Sequence, residues 1–267
     1  MPAHMPGMES MLVFDRAAVR QHRDRAAGQV DRVADLLQDA AERLLDRIGD
    51  TTRRFDRALD VGGRGVVAPL LRARGIDTVS CDLSPAMAAR NPGPAVAADE
   101  EFLPFAPASF DLVVASLSLH WVNDLPGALI QLRQAMKPEG LLLASLPALG
   151  TLGELRTALT ETEAELTGGA SPRVSPFPEL RDCAHLLQRA GFTLPVADQE
   201  ELELLYADPF ALLADLRAAG ETNAVRLRAR AIPPRALLPA ALAALPRKQG
   251  RFPATLRIAV MTGWAPA

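Results

Sequence analysis

The sequence has too few cysteines and too few clustered histidines for several common kinds of site. Its two cysteines, Cys81 and Cys183, cannot by themselves form the disulfide framework of a small secreted domain or a cysteine-based zinc site. The four histidines are scattered along the chain: His4, His22, His120 and His185. No pair of them has the spacing of metal ligands on a helix, so the sequence predicts no metal site.

An excess of positive charge and long apolar runs are also missing. The chain has 29 Lys and Arg residues against 32 Asp and Glu residues, a formal net charge of −3. It therefore lacks the positive field that binds nucleic acid without regard to sequence. The longest apolar stretches, 112–122 and 141–150, are far shorter than the ~20 residues of a membrane helix. The first residues lack the basic start and apolar block of a secretory signal. We expect a cytoplasmic protein with no transmembrane segment and no nucleic-acid partner.

The first part of the chain predicts helices. Apolar residues recur at helical spacing over 30–48, and Gly49 follows as a stop. The preceding segment, 14–27, mixes Arg and Asp with few apolar residues, so it forms either a solvated helix or a cover over a bound ligand. We interpret residues 1–52 as an N-terminal helical cap and residues 53–267 as the main domain.

Short apolar runs then alternate with helical stretches, which is typical of a parallel sheet flanked by helices. The predicted strands are 57–61, 78–82, 95–98, 111–116 and 141–146 in a core over 55–150, and 199–206 and 254–262 later in the chain. Helices are predicted at 151–166 and before Gly191, with a Gly/Ser/Pro loop between them. The sequence therefore predicts a doubly wound, Rossmann-like α/β fold. Its seven-stranded, mostly parallel sheet carries N-terminal helices and helical insertions, and 151–267 supplies the C-terminal helices and last strands.

Acids and glycines follow the first two predicted strands at the point where each strand ends. Asp60 precedes a turn that contains three glycines: Gly62, Gly63 and Gly65. Glycines there let the backbone approach a ligand closely, and the amide end of the next helix would face it. Asp82 ends the second strand, where a carboxylate of such a fold accepts hydrogen bonds from ribose hydroxyls.

The third predicted strand is followed by Asp99, Glu100 and Glu101, beside Phe102. An acid at this point can accept a hydrogen bond from an adenine amino group. Because the carboxyl ends of parallel strands meet at one edge of the sheet, where ligands of such folds bind, we expect a nucleoside site there.

The glycine turn has a second interpretation. Gly63, Gly65 and Ala68 fit one form of the dinucleotide fingerprint, so an NAD-dependent oxidoreductase is an alternative. Asp60 and the acids after the third strand favour an adenosyl sulfonium compound instead, because the second phosphate of a dinucleotide does not require acids there.

The motifs resemble a known family. The segment 60–65, Asp82, Asp99 and the segment 109–114 together resemble the class I S-adenosylmethionine-dependent methyltransferases. Several longer segments are similar to the methyltransferase-like arginine-hydroxylase assembly-factor family of respiratory complex I: 98–105, 116–126, 175–177, 14–16, 220–223, 253–255 and 262–264. This resemblance extends over nearly the whole chain.

The resemblance implies S-adenosylmethionine as cofactor and two different chemistries on one fold. Most relatives in the wider class, including the biotin-pathway methylase of malonyl-carrier-protein, transfer a methyl group, whereas mitochondrial members of the assembly-factor family are credited with hydroxylating an arginine of a complex I subunit. We expect a methyltransferase-like enzyme in the maturation or assembly of complex I. The alternatives are a protein arginine hydroxylase and a non-catalytic assembly factor. The expected partner is a complex I subunit or a small-molecule methyl acceptor.

Position and resemblance together give the expected site. The cofactor-binding candidates are Asp60, Gly62, Gly63, Gly65, Asp82, Leu83, Asp99, Glu100, Ser116 and Leu117. The catalytic candidates are His120, which follows the fourth strand and could act as a base, and Tyr206, the single tyrosine. Each of these two side chains has a simple packing role as its alternative.

Some side chains around this site are left with two interpretations. The glycine turn is one residue shorter than the family's Asp-x-Gly-x-Gly-x-Gly, so Arg64 either crowds the cofactor or points outward. Glu221 and Asn223 either bind substrate or form a turn. Three basic residues of the first segment either line the mouth of the pocket or face solvent: Arg16, His22 and Arg25.

Overall fold

A computed structural model describes residues 12–267 of the chain. His4 and residues 1–11 of the predicted cap lie outside the described residues. Within 12–267, no helix combines the length and apolar character that crossing a bilayer requires. The same range holds no group of three or more His, Cys, Asp or Glu side chains placed to bind a metal ion.

The described residues form one seven-stranded sheet with the order β3-β2-β1-β4-β5-β7-β6. Its strands are β1 (Arg57–Val61), β2 (Asp77–Asp82), β3 (Ala95–Ala97), β4 (Phe110–Ser116), β5 (Met136–Pro147), β6 (Thr193–Tyr206) and β7 (Phe252–Trp264). The neighbours from β3 to β5 pair in parallel, and β7 is antiparallel to both β5 and β6. The predicted α/β fold with a mostly parallel, seven-stranded sheet is confirmed.

The two faces of the sheet build two hydrophobic cores. Every residue of β4 is buried, and its side chains alternate between the faces, as the two-residue period of a strand requires. Val113 and Ala115 pack in one core, and Leu112 and Val114 pack in the other. Because both faces are covered, the central strands are continuous apolar runs in the sequence.

Helices cover the sheet, and the first two of them precede its first strand in the chain. They are α1 (Arg16–Ala26), α2 (Ala34–Asp46), α3 (Val67–Ala73), α4 (Pro85–Ala88), α5 (Leu125–Ala135), α6 (Gly153–Thr167), α7 (Leu180–Arg189), α8 (Pro209–Ala218) and α9 (Leu237–Ala243). The N-terminal caps of α1 and α5 are aspartates: Asp15 accepts from the Ala18 amide, and Asp124 accepts from the Gly127 amide. The helix predicted over 30–48 is divided into a 3₁₀ turn, α2 and a second 3₁₀ turn.

Several predicted strand boundaries were wrong. β5 begins at Met136, five residues earlier than predicted, and β6 begins at Thr193, six residues earlier than predicted. β6 lies at the edge of the sheet, and its exposed positions include charged residues such as Glu201 and Glu203. Its pairing with β7 over 193–206, rather than an apolar run, therefore sets its length.

A third hydrophobic cluster lies apart from the two sheet cores. It is called the C-terminal cluster below, and its buried members are Leu155, Ala158, Leu159, Val174, Leu212, Ala241, Leu242, Leu245, Phe252 and Ala254. These residues come from α6, α8, α9, the loop before α7 and β7. The division into a cap over 1–52 and a domain over 53–267 stays a prediction.

Candidate functional site

The carboxyl ends of β1, β2 and β3 bring buried acids together. Asp60 lies in β1 just before the glycine turn, Asp82 is the last residue of β2, and Glu100 follows β3. All three are at most 1% exposed. Asp99 lies beside Glu100 and is more exposed, and its side chain accepts from the Glu101 amide at 3.0 Å. The predicted acids therefore meet at one edge of the sheet, which is called the acid edge below.

The glycine turn is held by close packing against the chain itself. A Cβ on Gly62, whose φ is +67°, would lie 2.7 Å from the Cβ of Ser118. A Cβ on Gly63 would lie 2.1 Å from Oδ1 of Asp60, and one on Gly65 would lie 3.3 Å from the Arg90 carbonyl oxygen. The need for glycine at these positions follows from these contacts and from the left-handed φ of Gly62.

Helix α1 covers the acids. Arg23 is 1% exposed, and its Nη1 lies 2.9 Å from Oε1 of Glu100 and 3.4 Å from Oδ1 of Asp82. Its Nη2 donates to the Ser118 carbonyl at 3.2 Å. Of the two interpretations of segment 14–27, the structure therefore favours the cover.

Two further side chains of the first segment differ in their placement. Arg16 donates to Asp99 at 2.5 Å and also to Glu100. Arg25 is exposed, so its placement at the pocket mouth was wrong. The residue that sequence reasoning missed is Arg23. Its spacing of seven from Arg16 is two helical turns, which places both side chains on one face.

The charges at this edge shift the pKa values of the acids. Burial acts to raise the pKa of Glu100, but Arg23 and Arg16 outweigh it, so that pKa is lowered. Burial raises the pKa of Asp82 despite Arg23 and the Ser84 amide. Burial also raises the pKa of Asp60 to about 7, against a hydrogen bond from the Ser80 hydroxyl at 3.2 Å.

Arg64 of the shortened glycine turn lies inside the protein. It has a left-handed φ of +52° and is 3% exposed. Its Nη2 donates to the Leu117 carbonyl at 3.1 Å and to Oε1 of Glu221. The interpretation that Arg64 points outward is therefore wrong.

Glu221 joins three donors beside the acid edge. Its Oε2 accepts from Nε1 of Trp121 at 2.7 Å and lies 2.7 Å from Nε2 of His120, while its Oε1 accepts from Arg64. Burial acts to raise the pKa of Glu221, but His120 and Arg64 lower it to about 2. Glu221 therefore remains a carboxylate at neutral pH and holds three side chains together.

The two catalytic candidates have different surroundings. Nδ1 of His120 is buried and has no partner among the described residues. Tyr206 lies at the end of β6, where burial, together with Asp215, raises the pKa of its phenol. Both side chains line one cavity of about 350 Å³. His120 adjoins the acid edge through Glu221, and Tyr206 lies in the C-terminal cluster.

The remaining cofactor candidates lie around the same edge. Ser116 ends β4 and is buried, and Leu117 follows it with its amide donating to the Ser145 hydroxyl at 3.1 Å. Leu83 is partly buried against a small cluster that contains Phe14 and Trp121. Of the pair predicted with two roles, Glu221 is in the site and Asn223 donates to the Pro172 carbonyl at 2.8 Å.

A family profile described as "Methyltransferase domain" matches residues 32–195. The chain belongs to this methyltransferase family. Arginine-hydroxylase NDUFAF5, mitochondrial, from Homo sapiens is 39% identical over 94% of this chain and 76% of that protein. Malonyl-[acyl-carrier protein] O-methyltransferase from Methylovorus sp. (strain MP688) is 36% identical over 95% of this chain and 90% of that protein. The protein is therefore an enzyme of the methyltransferase fold with relatives of both names.

Solved structures agree on the class I methyltransferase fold of the chain. The YcgJ protein from Bacillus subtilis superposes with a TM-score of 0.57 at 13% identity, covering 84% of this chain and 98% of that one. A Burkholderia thailandensis 1,6-didemethyltoxoflavin-N1-methyltransferase with bound S-adenosylhomocysteine gives 0.50 at 17% identity, covering 100% and 93%. The family membership favours the adenosyl interpretation of the glycine turn over the dinucleotide fingerprint.

Proposed function

We propose that the protein is an S-adenosylmethionine-dependent, methyltransferase-like enzyme that acts in the maturation or assembly of respiratory complex I. The observation that carries the proposal is the group of buried carboxylates at the carboxyl ends of β1 to β3. Asp60, Asp82 and Glu100 lie there on a chain that belongs to the methyltransferase family.

Two carboxylate oxygens of this group fit a ligand that donates hydrogen bonds. Oδ2 of Asp82 and Oδ1 of Asp60 are buried without a partner among the described residues. An unsatisfied buried polar atom costs about 1–3 kcal/mol, and a bound ligand is one explanation for such atoms at a site. Ribose hydroxyls and the ammonium group of S-adenosylmethionine are donors of the required kind.

Named residues can be assigned to parts of the cofactor. Asp82, with Leu83 beside it, would hold the ribose, and Asp99 and Glu100 would hold the adenine. Asp60 and the glycine turn would hold the methionine part, near Ser116 and Leu117. When bound, the cofactor supplies an activated methyl group, so the chain's own task is to position the acceptor and exclude water.

The arginines at this edge must adjust to the cofactor. Arg23 lies against Asp82 only at 3.4 Å, compared with 2.9 Å for Glu100, so its contact with the ribose carboxylate is the weaker one. Arg23 pairs with Asp82 and Glu100, and Arg64 lies in the glycine turn itself, so either guanidinium could pair with the cofactor's own carboxylate. Binding should therefore shift α1 or the side chain of Arg23.

His120 is the proposed catalytic residue. Its Nε2 is held by Glu221, which leaves the buried Nδ1 without a partner and free to hold or accept a proton at the cavity wall. Tyr206 is proposed with it because it lines the same cavity. Its phenol stays protonated at neutral pH and donates to Asp215, so its oxygen would position a ligand by accepting a hydrogen bond.

A second candidate function rests on the relatives. Proteins named arginine-hydroxylase NDUFAF5 from Homo sapiens and Mus musculus are 39% and 38% identical to the chain, which favours hydroxylation of an arginine in a complex I subunit. The proteins named malonyl-[acyl-carrier protein] O-methyltransferase favour methyl transfer to a different acceptor. The buried arginines Arg23 and Arg64 favour a non-catalytic assembly factor, because they occupy space among the acids of the cofactor site.

The cytoplasmic location stays a prediction, and the vertebrate relatives carry "mitochondrial" in their names.

Mass spectrometry separates these chemistries. Complex I subunits are purified from cells of the source organism in which the gene for this protein has been deleted. They are then incubated with the purified protein and with S-adenosylmethionine labelled in the methyl group. We expect a subunit to gain one labelled methyl group, and the variant Asp82→Asn to slow the gain at limiting cofactor concentration. In a parallel incubation supplied with dioxygen and a two-electron reductant, addition of one oxygen atom to an arginine identifies the hydroxylase. Assembly of complex I that the protein restores in the deficient cells without any mass change identifies the non-catalytic factor.

A further inference from the structure

The cavity beside His120 extends away from the acid edge into the C-terminal cluster. It has a volume of about 350 Å³, within the range of small-molecule pockets. Arg64, His120, Trp121 and Glu221 line the end next to the acids. Side chains of α6, α8, β6 and β7 line the other end. The cavity therefore extends from the site to elements that follow β5 in the chain.

The far end of the cavity is lined mainly by leucines. They are Leu152, Leu155, Leu159, Leu204, Leu212, Leu213, Leu216, Leu238 and Leu256, with Val174, Phe177 and Ala254 between them. Leu204, Leu213 and Leu216 are only partly buried although they belong to the C-terminal cluster. Protein interiors normally pack without spaces of this size, so an apolar wall around such a space is suited to an apolar ligand.

The two carboxylates that line the cavity, Glu221 and Asp215, are paired, whereas Arg217, which also lines it, is exposed and makes no salt bridge among the described residues. Glu221 has its three donors, and Glu163 pairs with Arg173. Asp215 pairs with Arg32 at 2.5 Å and with the phenol of Tyr206. No carboxylate of this wall is therefore left to balance a positively charged ligand. A cation such as a free arginine side chain is disfavoured.

Two polar side-chain atoms at the inner end, Nδ1 of His120 and Nε of Arg64, lack a partner among the described residues. Nδ1 of His120 is buried and makes no hydrogen bond to the described residues. The ring nitrogen can donate to or accept from one uncharged group, such as a hydroxyl. An N–H of Arg64 can donate to the oxygen of the same group. The cavity therefore offers two polar contacts at its inner end and an apolar wall at the other.

We propose that this cavity binds an uncharged amphiphile, with its hydroxyl at Nδ1 of His120 and its aliphatic chain among the leucines of the C-terminal cluster. Any role of this ligand in the reaction rests on the proposed function. The binding itself does not, because the leucine wall contributes nothing to the acid edge.

Straight-chain alcohols test the binding. The purified full chain is loaded with the uncharged fluorescent probe N-phenyl-1-naphthylamine, and the n-alkanols from hexanol to dodecanol are titrated in to displace it, without cofactor. We expect displacement to strengthen about fourfold for each added methylene group until the chain fills the cavity, and then to level off. Absence of displacement, or a continuous rise without a limit, overturns the proposal.

Two variants on one helix provide the matched control. Leu213→Trp fills the cavity from α8 and should weaken alkanol binding at least tenfold. Phe210→Trp lies on the same helix, is 53% exposed and should leave binding unchanged. Equal effects of the two substitutions overturn the proposal. If Leu213→Trp does not fold, Leu216→Ala enlarges the cavity and should move the limit to longer alcohols; an unchanged limit overturns the proposal.

Calorimetry with S-adenosylmethionine keeps the two proposals apart. Leu213→Trp should bind the cofactor like the unaltered protein, because Leu213 does not contact the acid edge. Cofactor binding without alkanol binding refutes only the amphiphile site, and alkanol binding without cofactor binding refutes only the proposed function.

Discussion

Nη1 of Arg23 lies 2.9 Å from Oε1 of Glu100, and each side chain is 1% exposed. This pair joins α1 to the segment after β3 across 77 positions of sequence. A buried ion pair is weak support for stability by itself, but removing one partner leaves an uncompensated charge in the interior.

Replacing Arg23 should therefore destabilise the protein strongly. Arg23→Leu leaves Glu100 and Asp82 buried without their shared cation, and we expect the free energy of unfolding to fall by about 3–5 kcal/mol. Urea unfolding measures the change. Arg25→Leu on the exposed face of the same helix is the control and should change it by less than about 0.5 kcal/mol. A similarly small effect for Arg23→Leu would show that the buried pair does not hold α1.

The pair also predicts coupling between its two members. Glu100→Gln in the Arg23→Leu background removes a buried charge that has lost one of its two arginines, since Arg16 still contacts Glu100. The double variant should therefore be more stable than the sum of the two single effects predicts. A double-mutant cycle from urea unfolding gives the interaction energy, which we expect to be about 1–3 kcal/mol. Strict additivity of the two substitutions would contradict direct pairing.

Glu221 predicts a loss of stability in acid. Its pKa falls to about 2 in the folded protein from an ordinary value of 4.5. The stabilisation is thus fully present above pH 4.5 and is lost as pH falls through the interval down to about 2. Glu221→Gln should flatten this part of the pH–stability curve and cost about 2 kcal/mol at neutral pH.

Chemical denaturation at a series of pH values checks this. Glu161→Gln, an exposed position on α6, is the control and should keep the acid slope of the unaltered protein. If Glu221→Gln keeps that slope as well, Glu221 does not hold its three donors as a carboxylate.

The glycine turn predicts a difference between two glycines with similar backbones. Gly62 (φ +67°) and Gly75 (φ +81°) both adopt left-handed conformations, but only the Cβ of an alanine at 62 meets another side chain, Ser118, at 2.7 Å. We expect Gly75→Ala to cost about 1 kcal/mol from backbone strain alone, and Gly62→Ala to cost about 2–4 kcal/mol from strain plus overpacking. Thermal unfolding of both variants measures the difference, and equal costs would mean that the turn can move away from Ser118.

Much of the fold could be predicted because it is encoded locally. β4 is buried on both faces and stands out by the apolar run over 112–115, and the acids Asp60 and Asp82 follow from their positions at strand ends. The first part of β6 has no such pattern, because Pro195 and a register shift interrupt it and its pairing with β7 extends it.

The inner arrangement of the site depends on contacts between distant segments. Glu221 meets Trp121 across 100 positions and His120 across 101, and no local pattern predicts which of several acids will converge there. The direction of Arg64 likewise depends on Leu117 and Glu221, so the shortened turn alone could not decide between its two interpretations.

Binding of S-adenosylmethionine to the purified full chain, measured by isothermal titration calorimetry, tests the central claim most directly. The account predicts saturable binding that Asp82→Asn weakens by about 1–3 kcal/mol and that Asp182→Asn, an exposed acid on α7, leaves unchanged. Folded protein that does not bind the cofactor, or equal affinity in Asp82→Asn, would contradict the assignment of the carboxyl edge of β1 to β3 as the cofactor site.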